Sequence, residues 1–278
     1  MHRVGFLIAV AIACALFLSG GAGAEEITGA GATFPAPIYK KWIDDFLSKN
    51  PGISISYRAE GSEAGLQELQ SGRVDFAAID FPLPSNIARQ FQLEAYPTVI
   101  GAVVLIYNLP QLRTDLRVTP EILAGIYLGQ ISRWNDFRIK AVNRSANLPA
   151  ADINPFHRSD GSGTTYVWTD YLARANGQWR SSLGIGTKLP WHVGSGVKGS
   201  EGMAEAVART PNSVGYVEFI YALQHGLNVA AVMNARGRFI RASIDSLTAA
   251  AKLKPSSSDA ESIANAGEPG AYPICSFT

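Results

Sequence analysis

A chain of 278 residues, 47% hydrophobic and 17% charged, has material for one large core or two smaller ones. It is neither collagen-like, disulfide-dense nor compositionally disordered. A formal charge of +1 supplies no long-range field toward nucleic acid or an acidic membrane surface.

In chain order, the first element is a leader. Met1, His2 and Arg3 give a short positive start, residues 4–18 are apolar, and the small residues that follow end in Ala22-Gly23-Ala24. That is the three-part pattern of a secretory signal, and its apolar run is too short for a membrane span. Residues 1–24 are therefore expected to be removed on export to the periplasm. Their loss takes away Arg3 and no acid, leaving a formally neutral chain. Lipid anchoring at Cys14 is not expected, because Ala11-Ile12-Ala13 is a poor lead-in and apolar Ala15 to Leu18 would follow the anchor. Cys275 is then alone, so no internal disulfide forms, and it reads as a small hydrophobe.

Short β-like runs then alternate with helical ones. Strands are predicted at 53–57 (Ile53, Ile55 and Tyr57 on one face), 74–79, 98–107, 152–156 and 214–219. Helices are predicted at 35–48, 63–70, 120–128, 164–175, 201–210 and 243–251. The alternation argues for an α/β fold with mostly parallel sheet. There is no internal repeat. Residues 255–270, rich in Ser, Ala, Gly and Glu, read as a surface loop.

The chemistry sits at three helix starts built alike, each with a Gly-rich step, a hydroxyl residue and then a helical pattern. They are Gly29 to Pro35, with Thr33 and Phe34; Gly61-Ser62-Glu63-Ala64-Gly65; and Arg158 to Thr165, with Ser162, Gly163 and Thr164. A helix N-terminus leaves several N–H groups unpartnered and carries partial positive charge, so it suits an anion. One Ser or Thr in such a place is usually only a helix cap. Three such starts in one chain, one of them carrying an arginine, point instead to a shared anion site.

Arg158 is the candidate full charge, since its planar fork gives two parallel hydrogen bonds to an oxyanion. Asp160 is its candidate partner. Asp80 follows an apolar strand-like run, where ligands of open α/β sheets sit. Beside an anion, a carboxylate accepts a hydrogen bond from phosphate, which keeps a proton near neutral pH, and repels sulfate, which has none. Sites that require a ligand O–H reject the analogue lacking it by roughly 10⁴–10⁵-fold.

The chain resembles the periplasmic phosphate-binding proteins of bacterial phosphate ABC transporters. The matching stretches are Thr28 to Pro37, Gly61-Ser62 with Gly65, Val74 to Asp80 with Pro82-Leu83, Tyr96 to Gly101, Ile126 to Gly129 with Trp134, Arg158 to Thr165, and Gly215 to Glu218 with Tyr221. The resemblance implies a two-lobed periplasmic-binding-protein fold (type II-like), each lobe a central mixed β-sheet flanked by helices, with a hinge of crossing segments. It implies lobe one at 25–100, lobe two at 101–234 and a return to lobe one at 235–278. The implied phosphate contacts are Thr33, Phe34 through its backbone N–H, Ser62, Asp80, Arg158, Ser162, Gly163 and Thr164, with Asp160 bracing Arg158. No metal, organic cofactor or nucleic acid is implied. The partners are inorganic phosphate and the membrane permease subunits of the importer, and a monomer is expected.

Two departures from the family pattern stand out. Glu63 lies where that loop is usually uncharged and adds a negative charge unless it points to solvent. The sequence ends at Thr278, short of the strand and helices with which the family completes its first lobe. Three other readings differ in chemistry: another oxyanion such as sulfate or molybdate, an adhesion protein, or a secreted serine hydrolase or phosphatase using Ser162 with His157, His192 or His225. The last lacks a Gly-x-Ser-x-Gly elbow, and adhesion gives no reason for the helix starts.

Overall fold

The computed structural model describes residues 25–252, 263–265 and 268–278. The expected leader 1–24, with Cys14, and most of the expected loop 255–270 lie outside the described residues. Of that loop, Ile263 and Ala264 are buried. Its small, polar composition reads as surface, but these two apolar side chains pack with the core.

The chain opens with strand β1 (Glu25–Gly31), helix α1 (Ala36–Leu47), β2 (Ile53–Ala59), α2 (Ser62–Gln70), β3 (Phe76–Ala78) and α3 (Ser85–Phe91). It continues through β4 (Ile100–Asn108), β5 (Arg117–Val118), α4 (Pro120–Tyr127), α5 (Phe137–Val142), β6 (Asn154–Arg158), α6 (Gly163–Ala175) and α7 (Gly177–Ser182). Then come β7 (Ser195–Val197), α8 (Gly199–Arg209), β8 (Ser213–Glu218), α9 (Phe219–Gln224), β9 (Asn228–Val229), β10 (Ala231–Met233), β11 (Phe239–Ile240), α10 (Ile244–Ala251) and β12 (Cys275–Phe277).

Among the described residues, three sheets result. One is all parallel, in the order β2-β1-β3. The second, in the order β12-β4-β8-β6-β7 with β9 also on β4, is mixed: β6 runs parallel to β7 and β8, while β4 is antiparallel to β8, β9 and β12. The third is the small sheet β11-β10-β5. The flanked mixed sheets have the predicted α/β character. The mostly parallel arrangement holds for the first sheet only.

β4 is the spine of the core. Ala102 to Ile106 are fully buried, because α4, α6 and α8 supply apolar side chains around its sheet. Burying each Val, Leu or Ile there contributes about 1.5–3 kcal/mol. Trp168 of α6 stacks on Tyr216 of β8, with ring centroids 5.1 Å apart. α1 behaves differently. Its apolar period predicted the helix, yet Ile38, Trp42 and Phe46 are 36%, 47% and 44% exposed. The helix meets β2 through Tyr39, whose ring lies edge-on to Tyr57.

β1 was not among the predicted strands, since the glycines of its Thr-Gly-Ala-Gly stretch disfavour one. It holds the centre of its sheet because β2 and β3 both hydrogen-bond to it. Strand direction then sets the site. The C-terminal ends of β1, β2 and β3 lie side by side, as do those of β6, β7 and β8. β4 runs against β8, so its start, and the end of β12 beside it, share that edge.

Candidate functional site

The strand ends deliver the candidate residues to one place. Arg158 is the last residue of β6 and is 2% exposed. Its Nε donates to Asp160 Oδ1 at 2.7 Å, and Nη2 donates to the second carboxylate oxygen. The Gly199 N–H also donates to Asp160 Oδ1, at 3.1 Å. Burial would raise the Asp160 pKa, but the guanidinium outweighs it and holds the carboxyl below its ordinary value. With one edge of the fork held by Asp160, Nη1 faces across to Thr33 Oγ1 at 3.3 Å and Ser200 Oγ at 3.5 Å. Those two hydroxyls lie 2.7 Å apart.

Thr33 sits two residues beyond β1, and its carbonyl accepts a 2.7 Å hydrogen bond from the Tyr221 hydroxyl. Phe34 follows, and its buried ring fixes the backbone that carries its N–H. From the other side comes the start of α6. Ser162 caps that helix by accepting from the Thr165 N–H at 3.1 Å. A side chain at Gly163 would place Cβ 2.3 Å from Ser62 Oγ and 2.5 Å from Asp80 Oδ2, so only glycine lets these groups meet. Ser62, the first residue of α2, points its hydroxyl at Asp80 Oδ2 from 3.5 Å. Thr164 is buried, and its Oγ1 has no hydrogen-bond partner among the described residues.

The expected residues lie at or just beyond strand ends of two sheets or at helix starts. Direct contacts join Thr33 to Arg158, and Ser62 to Asp80 and Gly163. The arrangement can present one guanidinium, several hydroxyls and the first-turn N–H groups of three helices to a single small anion.

Two carboxyls face this set. Burial, the largest influence, pushes Asp80 up to about 7 against the Thr278 hydroxyl, Arg158 and Ser62, which all pull it down. Burial likewise pushes Glu218 up to about 8, against the N–H groups of Ile220 and Phe219. Glu63 turns sideways. Its N–H donates to the Gly161 carbonyl at 3.1 Å, and its carboxylate accepts from the Thr187 hydroxyl.

The sequence reading missed Ser200, Thr278 and Glu218. Ser200 had a signal: Gly199-Ser200 is a fourth Gly–hydroxyl helix start following a strand. Glu218 and Thr278 had none, because what matters about them is burial and a partner far away in sequence.

Comparison with known proteins gives the family. The model of a PBP superfamily domain matches residues 19–278. The chain is 42% identical over 229 residues to a phosphate-binding protein PstS of Pasteurella multocida, covering 82% of this chain and 66% of that one. It is 42% identical over 231 residues to the PstS of Haemophilus influenzae, covering 83% and 69%. The chain thus spans about two thirds of the length of these relatives. Among solved structures, a putative phosphate ABC transporter substrate-binding protein with bound phosphate from Clostridium perfringens superposes with a TM-score of 0.59 at 21% identity, over 75% of this chain and 76% of that one. That likeness extends the two-lobed fold to this chain. On these matches, the chain belongs to the PBP superfamily and, within it, to the family of the PstS phosphate-binding proteins.

Proposed function

We propose that the chain captures inorganic phosphate between its two lobes, outside the cytoplasm, and delivers it to the membrane permease subunits of a phosphate ABC importer. It would act as a monomer and leave its ligand chemically unchanged. The observation that carries this reading is the meeting of Arg158, the helix starts and Asp80 on one edge, drawn from strands of two separate sheets.

Each group has a part in holding phosphate. Arg158, braced by Asp160, supplies the countercharge and donates from Nη1. The Phe34 N–H and the first turns of α2 and α6 donate to the remaining oxygens. Thr33, Ser62, Ser162 and Thr164 add hydroxyls. The partnerless Oγ1 of Thr164 supports this, since a buried polar atom without a hydrogen bond is unfavourable until a ligand satisfies it. Asp80 Oδ2 accepts a hydrogen bond from the O–H that phosphate still carries.

The lobes we assign are 25–100 and 101–234, with 235–278 returning to the first. The hydrogen bonds of Thr278 to Asp80 and Thr98 support that return at its very end, while β11 and most of β12 pair with strands of the second lobe. Closure about the crossing segments is a hinge motion of the kind periplasmic binding proteins use. Residues 1–24 are assigned as the export signal, without an anchor at Cys14. Among the described residues no helix is long and apolar enough to cross a membrane.

The surroundings of Ser162 favour binding over hydrolysis. Its hydroxyl caps a helix. The His157 ring stacks on Trp191 with its Nδ1 turned to the Arg158 carbonyl, and His225 pairs with Glu201.

Calorimetry with phosphate and sulfate tests the reading. Phosphate should bind saturably and sulfate far more weakly. In Asp80→Asn the preference should shrink from as much as about 10⁴-fold toward unity. No heat with phosphate from a folded sample removes the proposal. One observation favours a second reading, a site for a fully deprotonated oxyanion: a protonated Asp80 would donate to it, and this carboxyl titrates at about 7. Sulfate binding as tight as phosphate binding would select that alternative.

A further inference from the structure

Asp80 has two carboxylate oxygens and two different environments for them. Oδ1 accepts a hydrogen bond of 2.6 Å from the Thr278 hydroxyl. Oδ2 lies 3.5 Å from Ser62 Oγ, and a Cβ on Gly163 would come within 2.5 Å of it. The carboxyl is buried, so whatever holds Oδ1 decides which lone pairs Oδ2 presents.

Thr278 is itself firmly held. Its N–H donates to the Val99 carbonyl at 2.9 Å. Its carbonyl accepts from the Thr98 N–H at 2.7 Å and the Thr98 hydroxyl at 3.1 Å. The Thr98 hydroxyl lies 2.6 Å from that of Tyr39. The register of β12 on β4, with Phe277 opposite Ile100, leads the backbone to this point. A threonine hydroxyl has one proton to give, and here Asp80 takes it.

We propose that Thr278 is a specificity-determining positioning residue: by donating its hydroxyl proton to Oδ1 it fixes the rotation of the Asp80 carboxylate, so that Oδ2 faces the anion site as a pure acceptor. The proposal rests on the phosphate reading above. Ser62 reaches Oδ2 only at 3.5 Å, so a full hydrogen bond to an acceptor so aimed comes from an oxyanion that still carries a proton, which phosphate does and sulfate does not. The donated proton also favours the ionised carboxylate, and the site needs that form. Arg158 pulls in the same direction. Burial opposes both. Across the site, the charge of Asp80 is felt by Glu218 and by the phenols of Tyr39, Tyr57 and Tyr221.

The test measures phosphate and sulfate dissociation constants of the full chain over a pH series, for wild type, Thr278→Val and Thr278→Ser. Thr278→Val keeps the shape and removes the donor. It should lower the phosphate-over-sulfate preference about tenfold, the effect of losing one hydrogen bond to a charged group. It should also move upward the pH below which the preference fades, because Asp80 then takes its proton more readily. Thr278→Ser should restore both. An unchanged preference and pH profile in Thr278→Val overturns the proposal. So does an equal weakening of both anions, which marks a merely structural role, or a failure of Thr278→Ser to restore. Failure of the phosphate reading looks different: wild type binds no phosphate, or Asp80→Asn keeps the wild-type preference.

Discussion

Among the described residues Arg158 is the one buried arginine, and its geometry sets its value. Asp160 engages Nε and Nη2, which leaves Nη1 aimed at the hydroxyls of Thr33 and Ser200. Truncation to alanine removes the countercharge and strands Asp160, itself largely buried. Arg158→Ala should weaken phosphate binding by about 1.5–3 kcal/mol, as for a hydrogen bond to a charged group, or roughly 10–150-fold by calorimetry. Arg158→Lys should recover little, since an ammonium cannot hold Asp160 with two donors and still present a third to the anion. Unchanged affinity in Arg158→Ala would mean that the anion's charge is balanced elsewhere.

At the level of elements, α2 owes its position to a glycine. A Cβ on Gly65 would lie 2.3 Å from the Gly31 Cα and 2.5 Å from the Ala30 carbonyl oxygen. Both are backbone atoms of β1, the central strand, so neither yields by a rotamer change. Gly65→Ala should therefore destabilise the fold by about 1–3 kcal/mol, the usual range for overpacking, despite alanine's better helix propensity. Because Ser62 rides on the first turn of the same helix, phosphate affinity should fall as well. Denaturant unfolding together with calorimetry checks both. A variant as stable as wild type would show that α2 can slide on β1 freely. Glu63 belongs to this scale too. Its carboxylate, a departure read from the sequence, accepts from the Thr187 hydroxyl across the site, while its backbone N–H donates to the Gly161 carbonyl, an orientation that local pattern could not reveal.

For the whole molecule, the two raised carboxyls make a statement about pH. Asp80 and Glu218 titrate at about 7 and about 8 in the folded chain, above their ordinary values. Between the ordinary carboxylate range and these values the folded chain holds protons that the unfolded chain has released. Their contribution is thus fully present at the acid end and is lost as pH rises through about 7 and then about 8. Asp160, held below its ordinary value, works in the opposite sense and loses its contribution as the solution is acidified through its folded pKa. The ligand-free chain should accordingly lose melting temperature from mildly acidic to mildly alkaline solution. Asp80→Asn and Glu218→Gln should each flatten that limb in a calorimetric pH series. A wild-type slope in both variants would contradict the assignment.

Local pattern alone determined that the chain alternates strands and helices, that a helix opens just beyond Ser162, and that Arg158 travels with Asp160. Periodicity, caps and short-range pairs are set by neighbours within a turn or two, so they are legible along the chain. The tertiary structure decided the rest. β1 is central although its glycines disfavour a strand, because two partner strands impose extension on it. Ile38, Trp42 and Phe46 form a helical stripe that stays exposed, since periodicity announces a face and not what covers it. Arg158 meets Thr33 across 125 residues of sequence, and Thr278 meets Asp80 across 198. Contacts of that range follow from strand order and direction, which are collective properties of the packed sheets and are carried by no local stretch of the chain.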